Sequence, residues 1–168
     1  MNRIIETTRL RLRPLCIEDA EAAYVWLSDA RVNRYMPYAL YTSLDDVKKW
    51  LLSLTEDNNE FAFELKNSGL VIGAGSIKVQ DNDAWEIGYN LRFDYWRKGY
   101  TTEAAKALIN WAYQNYGARE FIGAHATANI ASGKVLTKCG FIFDHYGEYS
   151  RYDGSEVFPA TYYKMTLI

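Results

Sequence analysis

Two adjoining stretches of this chain have residue types and spacing that could do chemistry: Glu86-Ile87-Gly88-Tyr89-Asn90-Leu91, and Tyr95-Trp96-Arg97-Lys98-Gly99-Tyr100-Thr101-Thr102-Glu103-Ala104. They read as a strand, a tight basic turn and the start of a helix. That arrangement makes an anion site. The first amides of a helix have no internal partners, and the helix dipole puts partial positive charge there. Gly99 lets the backbone approach a ligand closely, and Arg97 and Lys98 add two formal charges. A phosphate-bearing ligand suits such a site. Taken alone, Lys98-Gly99-Tyr100 is also an ordinary strand-to-helix turn with solvated charges.

The elements that must position this stretch follow from hydrophobic periodicity. Leu10 and Leu12 alternate with Arg9, Arg11 and Arg13, a first strand ended by Pro14. Ile17, Ala20, Tyr24 and Leu27 recur at helical spacing. A loop is expected over 30–42. Ser43-Leu44-Asp45-Asp46 resembles a capping box with Asp in the Glu place, opening a helix that carries Val47, Leu51 and Leu54 on one face. Phe61, Phe63 and Leu65 mark a strand, 70–79 a second, and Trp85, Ile87, Tyr89 and Leu91 one face of a third. A strong helix is predicted over 102–116, stopped by Gly117. A strand over 121–127, a short helix over 129–138 stopped by Gly140, and strands over 141–149 and 158–167 complete the chain. No linker or repeat interrupts it, so the reading is one α+β domain over 1–168, a mixed, mostly antiparallel sheet in an α/β three-layer arrangement.

Composition narrows the function classes. The chain has 168 residues, 49% apolar and 24% charged, which is ordinary for a globular protein with a full core. A net charge of −2 gives no argument for nucleic acid as a partner. No apolar run reaches transmembrane length, and Met1-Asn2-Arg3-Ile4-Ile5-Glu6 lacks the apolar core of a signal peptide. A cytoplasmic home without membrane partners is the expectation. Cys16 and Cys139 have no metal-like spacing and read as reduced, buried thiols. Gly73-Ala74-Gly75 lacks the third glycine of a dinucleotide fingerprint, and Gly133-Lys134-Val135 lacks the rest of a Walker loop. His125 and His145 have no ligand-spaced partners, so no metal is expected; His125 reads as a satisfied core histidine. Many of the 14 tyrosines lie in residues 34–41 and 146–163, where a ring with a polar tip suits a pocket wall, a core or an edge strand.

The stretch from Glu86 to Ala104 resembles the acyl-CoA signature of the GNAT superfamily of N-acyltransferases, and is most similar to the branch of ribosomal-protein N-terminal alanine acetyltransferases. That branch has Glu-Ile-Gly-Tyr, then Tyr-Trp-Gly-x-Gly-Tyr, a small residue, Thr and Glu-Ala. Arg97 stands where the branch has Gly, either crowding the loop or adding a phosphate contact, and Thr101 where the broader pattern prefers Gly or Ala. Arg9-Leu10-Arg11-Leu12-Arg13-Pro14 and Lys138-Cys139-Gly140-Phe141 resemble the family's ends of the core.

The resemblance implies acetyl transfer from acetyl-CoA to a primary amine, either a protein N-terminus or a small molecule. It puts the coenzyme pyrophosphate on the amides of Arg97, Lys98, Gly99, Tyr100, Thr101 and Thr102. It puts the peptide-like pantetheine arm along a splayed strand edge at Leu91, Arg92 and Phe93. Glu86 is the candidate base, its pKa raised by burial; read alone it is a solvated strand glutamate, and an N-terminal amine with pKa near ~8 needs little help. Asn129-Ile130-Ala131-Ser132 matches the family's Asn-x-x-Ser element, with Val135, Lys138, Gly140 and Phe141 after it. Asn129 would bond the pantetheine arm, cap the helix, or do both. Many relatives have a tyrosine where Leu136 stands, so Ser132 is the candidate acid at the sulfur. A backbone amide near Asn90 or Leu91 would meet the oxyanion. Residues 34–41 and 146–152 are expected to line the acceptor pocket. Direct attack in a ternary complex is expected, with Cys139 as the alternative acyl carrier. A non-catalytic acyl-CoA sensor on the same fold and a nucleotide-phosphate binder are the competing classes. A homodimer paired through an exposed C-terminal strand is the analogy for quaternary state.

Overall fold

A computed structural model describes residues 3–55 and 58–168, so Met1 and Asn2 of the N-terminal segment lie outside it. Eight strands form one sheet: β1 (Ile5–Glu6), β2 (Leu10–Pro14), β3 (Glu60–Leu65), β4 (Val71–Val79), β5 (Trp85–Leu91), β6 (Glu120–Ala126), β7 (Ile142–Ser150) and β8 (Val157–Thr166). Their spatial order is β1-β2-β3-β4-β5-β6-β8-β7. Every neighbouring pair is antiparallel except β5–β6, which is parallel. Parallel neighbours need a long crossover, and here it is helix α4 (Tyr100–Tyr116).

Helices cover both faces of the sheet. One face packs α4 and α5 (Ile130–Cys139) over Phe61, Phe63, Ile77, Ile87 and Phe121. The other packs α1 (Ala20–Leu27) and α3 (Leu44–Ser53) over Ala62, Val71 and Ala74. The alternation read in the sequence explains this layering. Leu10 and Leu12 are fully buried, while Arg11 reaches Glu6, and Arg13 makes a two-bond clamp on Asp19 at 2.8 and 2.9 Å. Ser43 accepts from the Asp46 N–H at 3.2 Å, one half of the expected box, while the Asp46 carboxylate accepts from the Ser43 hydroxyl at 2.8 Å in place of its backbone N–H.

Several expectations need correction. Helix α4 starts at Tyr100, not at 102, because Gly99 takes φ +81° and turns the chain directly into the helix. The expected loop over 30–42 holds a helical turn, α2 (Ala30–Asn33), capped by the Asp29 carboxylate. Strand β1 is too short to leave a periodic signal. The C-terminal strand β8 is internal, flanked by β6 and β7, and the edge belongs to β7. Cys16 and Cys139 are free thiols, half-buried instead of buried. His125 is buried and its Nδ1 meets the Ala126 carbonyl at 2.6 Å, but Nε2 has no partner among the described residues, so the ring is only half satisfied.

Candidate active site

The site begins where two strands part. β5 and β6 pair at Trp85/Phe121 and Glu86/Ile122 and separate beyond Glu86. On the other side, β5 stays in register with β4 to Leu91, and the Arg92 N–H bonds the Ile72 carbonyl at 2.8 Å. Backbone groups alternate along an antiparallel pair. Those of Tyr89 and Leu91 therefore face the gap, an open edge of the kind an amide-bearing ligand can extend. The Leu91 carbonyl also receives the Trp96 indole N–H at 2.8 Å, which folds the following turn back on the strand.

That turn is the predicted anion site. Gly99 takes φ +81° and Arg97 φ +61°. The first bond of α4 runs from the Glu103 N–H to the Gly99 carbonyl at 3.0 Å, so the amides of Tyr100, Thr101 and Thr102 have no partner within the helix. Glu103 fixes the position of the turn. Its carboxylate takes the Thr7 hydroxyl at 2.6 Å, the Arg9 N–H at 2.8 Å and the Arg9 guanidinium at 2.7 Å. Arg9 continues to the Lys98 carbonyl at 2.9 Å and lies over the Tyr100 ring. Lys98 donates to the Asp94 carbonyl at 2.9 Å, and Arg92 pairs with the Asp94 carboxylate. Arg97 is exposed and makes no ion pair among the described residues, a free cation next to unpaired amides. Phe93 is exposed beside it in the turn, under the Arg31 guanidinium.

Helix α5 lines the opposite wall. Its C-terminal end, with Lys138, lies against the start of α4, where the Cys139 thiol is 4.0 Å from the Thr102 carbonyl. Its N-terminal end reaches Tyr89 of β5, about 15 Å away along the helix. There Asn129 caps the helix by accepting from the Ser132 N–H at 3.4 Å. The Tyr89 hydroxyl donates to the Ser132 carbonyl at 3.0 Å and lies 3.2 Å from Ser132 Oγ. The sequence puts Tyr89 in the Glu-Ile-Gly-Tyr motif and in an apolar stripe but gives it no role of its own; its place past the last β5–β6 pair brings its hydroxyl to Ser132. Leu136, where many relatives carry a tyrosine, is buried against Gly123. Gly133 sits where a Cβ would come within 2.6 Å of His125 Nε2, so the imidazole fills the space of its missing side chain.

Glu86 lies on the other face of β5, with Gly88 and Asn90. Its side chain reaches solvent and accepts from Gln80 Nε2 at 2.9 Å. Partial loss of surrounding water raises its carboxyl from its ordinary value, with Lys78 on β4 pulling the other way. Beyond it lie the two segments expected around an acceptor. Arg151 fastens them together: its guanidinium donates to the carbonyls of Met36 at 3.0 Å, Tyr38 at 3.2 Å and Arg34 at 3.1 Å. Tyr149 adds a bond to the Tyr35 carbonyl at 2.6 Å. Two shallow pockets border this loop, one of about 340 Å³ beside Arg34 and Arg151, the other of about 270 Å³ beside Tyr38, Tyr41 and Asp46. Neither is lined by a residue of β5 or β6. Among the described residues, no cluster of three or more His, Cys, Asp or Glu could hold a metal, and no helix is long and apolar enough to cross a membrane.

Residues 9–142 match the family model described as an acetyltransferase (GNAT) domain. The chain is 30% identical over 142 residues to the uncharacterized N-acetyltransferase p20 of Bacillus licheniformis, covering 80% of each. It is 29% identical to the uncharacterized N-acetyltransferase YnaD of Bacillus subtilis, over 95% of this chain and 94% of that one. A GNAT-family acetyltransferase from Bacillus anthracis has the same fold, with a TM-score of 0.87 at 24% identity over 97% of this chain and 98% of that one.

Proposed function

The chain belongs to the GNAT acetyltransferases, enzymes that move an acetyl group from acetyl-CoA to an amine, and on that premise we propose direct attack by a primary amine with both substrates held around the β5–β6 gap. The acceptor is a protein N-terminus or a small-molecule amine. The observation that carries the reading is the conjunction of three features. The open β5 edge leads into the unpaired amides at the start of α4, and the Tyr89–Ser132 contact joins that edge to α5.

The amides of residues 97–102, with Lys98 and the free Arg97, suit a diphosphate. Tyr89 and Leu91 present backbone groups to an amide-bearing arm. Glu86 takes the proton of the attacking amine through water, a role its raised pKa suits. Ser132 gives a proton to the departing sulfur, and Tyr89 sits within reach to steady its hydroxyl. Burial pushes the Cys139 thiol up to about 11, so it is protonated near neutrality and a poor acyl carrier. That supports direct transfer. A single sheet running from residue 5 to residue 166 supports one domain.

The test is thiol release from acetyl-CoA by the purified protein against N-terminal peptides, polyamines and aminoglycosides. Release with one acceptor class establishes the reading and names the substrate. Tight acetyl-CoA binding with no release on any acceptor would instead mark a sensor.

A further inference from the structure

Asn90 stands four residues beyond Glu86 on the same face of β5, turned toward the loop that carries Tyr38. Its amide nitrogen donates to the Tyr38 hydroxyl at 3.1 Å. Its Oδ1 is closed to solvent and has no partner among the described residues. A buried acceptor without a donor is unfavourable, and such groups are rare enough to call for an explanation. Tyr38 also walls the pocket of about 270 Å³, with Tyr41 and Asp46. Tyr38 thus borders that pocket and bonds the amide, and Ala39 and Leu40 next to it are exposed.

We propose that Asn90 and Tyr38 form the recognition point for the acceptor, with Oδ1 receiving an N–H of a substrate that carries one amine and an apolar or aromatic body. This rests on the acetyl-transfer reading and adds the substrate class to it. The ligand enters as the Tyr38 ring turns aside, and its N–H replaces the missing donor. Two sources of N–H come near β5, the acceptor and the amides of the coenzyme arm. Asn90 points away from the Tyr89–Ser132 side, along which the arm is expected, so the acceptor fits better. The surroundings favour an apolar body. Tyr38 packs edge-on to Tyr41 at 6.2 Å, and Tyr41 against Trp50 at 6.3 Å. They disfavour a polycation, because the acidic groups bordering this loop are already engaged. Asp46 bonds Ser43 and Lys49, Asp153 accepts from the Ser155 N–H, and Glu156 is shared by Arg34 and Arg151.

The experiment measures thiol release from acetyl-CoA with 2-phenylethylamine, alanyl-phenylalaninamide and spermidine. Wild type, Asn90→Ala, Asn90→Asp and Tyr38→Phe are compared, with calorimetric titration of acetyl-CoA and a thermal melt for each. At least one monoamine is expected to show a KM tenfold or more below that of spermidine. Asn90→Ala should raise that KM about tenfold while the acetyl-CoA Kd stays within twofold. Asn90→Asp, which still accepts a hydrogen bond, should keep KM within about threefold of wild type and carries the test if the alanine variant melts early. Tyr38→Phe, which loses the group orienting the amide, should fall between. Tenfold weaker acetyl-CoA binding in Asn90→Ala would assign the side chain to the coenzyme arm. Equal loss in the Ala and Asp variants would mean that the amide nitrogen faces the ligand, and an unchanged KM that the contact is structural. Preference for spermidine, or no release with any of the three amines while acetyl-CoA still binds, would overturn the substrate class; a wild type that does not bind acetyl-CoA in the titration would remove the acetyl-transfer reading as well.

Discussion

The Tyr89 hydroxyl donates to the Ser132 carbonyl at 3.0 Å while Ser132 Oγ lies 3.2 Å from the Tyr89 phenol oxygen. The phenol spends its one hydrogen on the carbonyl, so the serine hydroxyl is free to donate elsewhere or to the phenol oxygen. Burial holds the Tyr89 phenol above its ordinary pKa, which keeps it a neutral donor. Ser132→Ala should therefore lower kcat by about 10²-fold, the lower range for loss of a general acid. Tyr89→Phe should lower it less, because the serine keeps its helix position through Asn129. Pre-steady-state release of the thiol checks the order. A Tyr89→Phe variant slower than Ser132→Ala would reverse the two roles.

Glu86→Gln should slow transfer most in a window of pH. A carboxylate base works only when ionised, so its help is lost as pH falls through its raised pKa. Above an α-amine pKa of about 8 the acceptor is already neutral and needs little help. The deficit in kcat should peak between those two values and shrink above about pH 8. A pH–rate profile of the variant parallel to that of wild type would remove Glu86 as base.

Gly99→Glu should abolish acetyl-CoA binding in calorimetry. Any side chain at φ +81° is strained, and its carboxylate would enter a site built for anions. Arg97→Gly separates stability from affinity at the same turn. Arginine at φ +61° costs about 1–2 kcal/mol, so glycine should raise Tm by a few degrees. Removal of the free cation should weaken acetyl-CoA binding, and the loss should shrink as salt is added.

Much of this turn was legible in the sequence because its physics is local. A glycine, two cations and a helix start within a few residues define an anion site wherever they fold. The strand faces were legible for the same reason: Trp85, Ile87, Tyr89 and Leu91 sort to one face by alternation alone. What could not be read are contacts between distant residues. Asn90 meets Tyr38 from 52 positions away, and Arg151 grips carbonyls 113 to 117 positions upstream. Neither leaves a periodic signal. Leu136 illustrates the limit from the other side, because the missing tyrosine was visible but Gly123, which accepts the leucine, was not.

Glu103→Gln should cost about 2 kcal/mol of stability, since it removes charge from three hydrogen bonds that tie the β1–β2 turn to α4. Partial burial alone would raise this carboxyl, but bonds from Thr7 and Arg9 outweigh it and hold the pKa below the ordinary value. The sign follows from linkage. A depressed folded pKa stabilises fully above the unfolded value of about 4.3 and loses that contribution as pH falls through the folded value. The gap between wild type and variant in urea unfolding should be constant near neutrality and close at acid pH. A gap that persisted at pH 2 would mean packing, not charge, holds the junction.

Gly133 makes the sharpest stability prediction. In an α-helix interior Gly→Ala normally gains about 1 kcal/mol. Here the added Cβ would lie 2.6 Å from His125 Nε2, and the ring cannot retreat because it is buried and tilted against Tyr163 at 5.5 Å. Overpacking costs about 1–3 kcal/mol, so Gly133→Ala should lower Tm instead of raising it. The same change in a His125→Ala background meets open space and should recover the helix gain. A double-mutant cycle by thermal or urea unfolding should then show coupling of about 2 kcal/mol. Since Ser132 precedes Gly133, the single variant should also shift Ser132 away from Tyr89 and lower kcat, and the double variant should restore part of that loss. Additive stability effects in the cycle would show that the glycine is not held by the histidine.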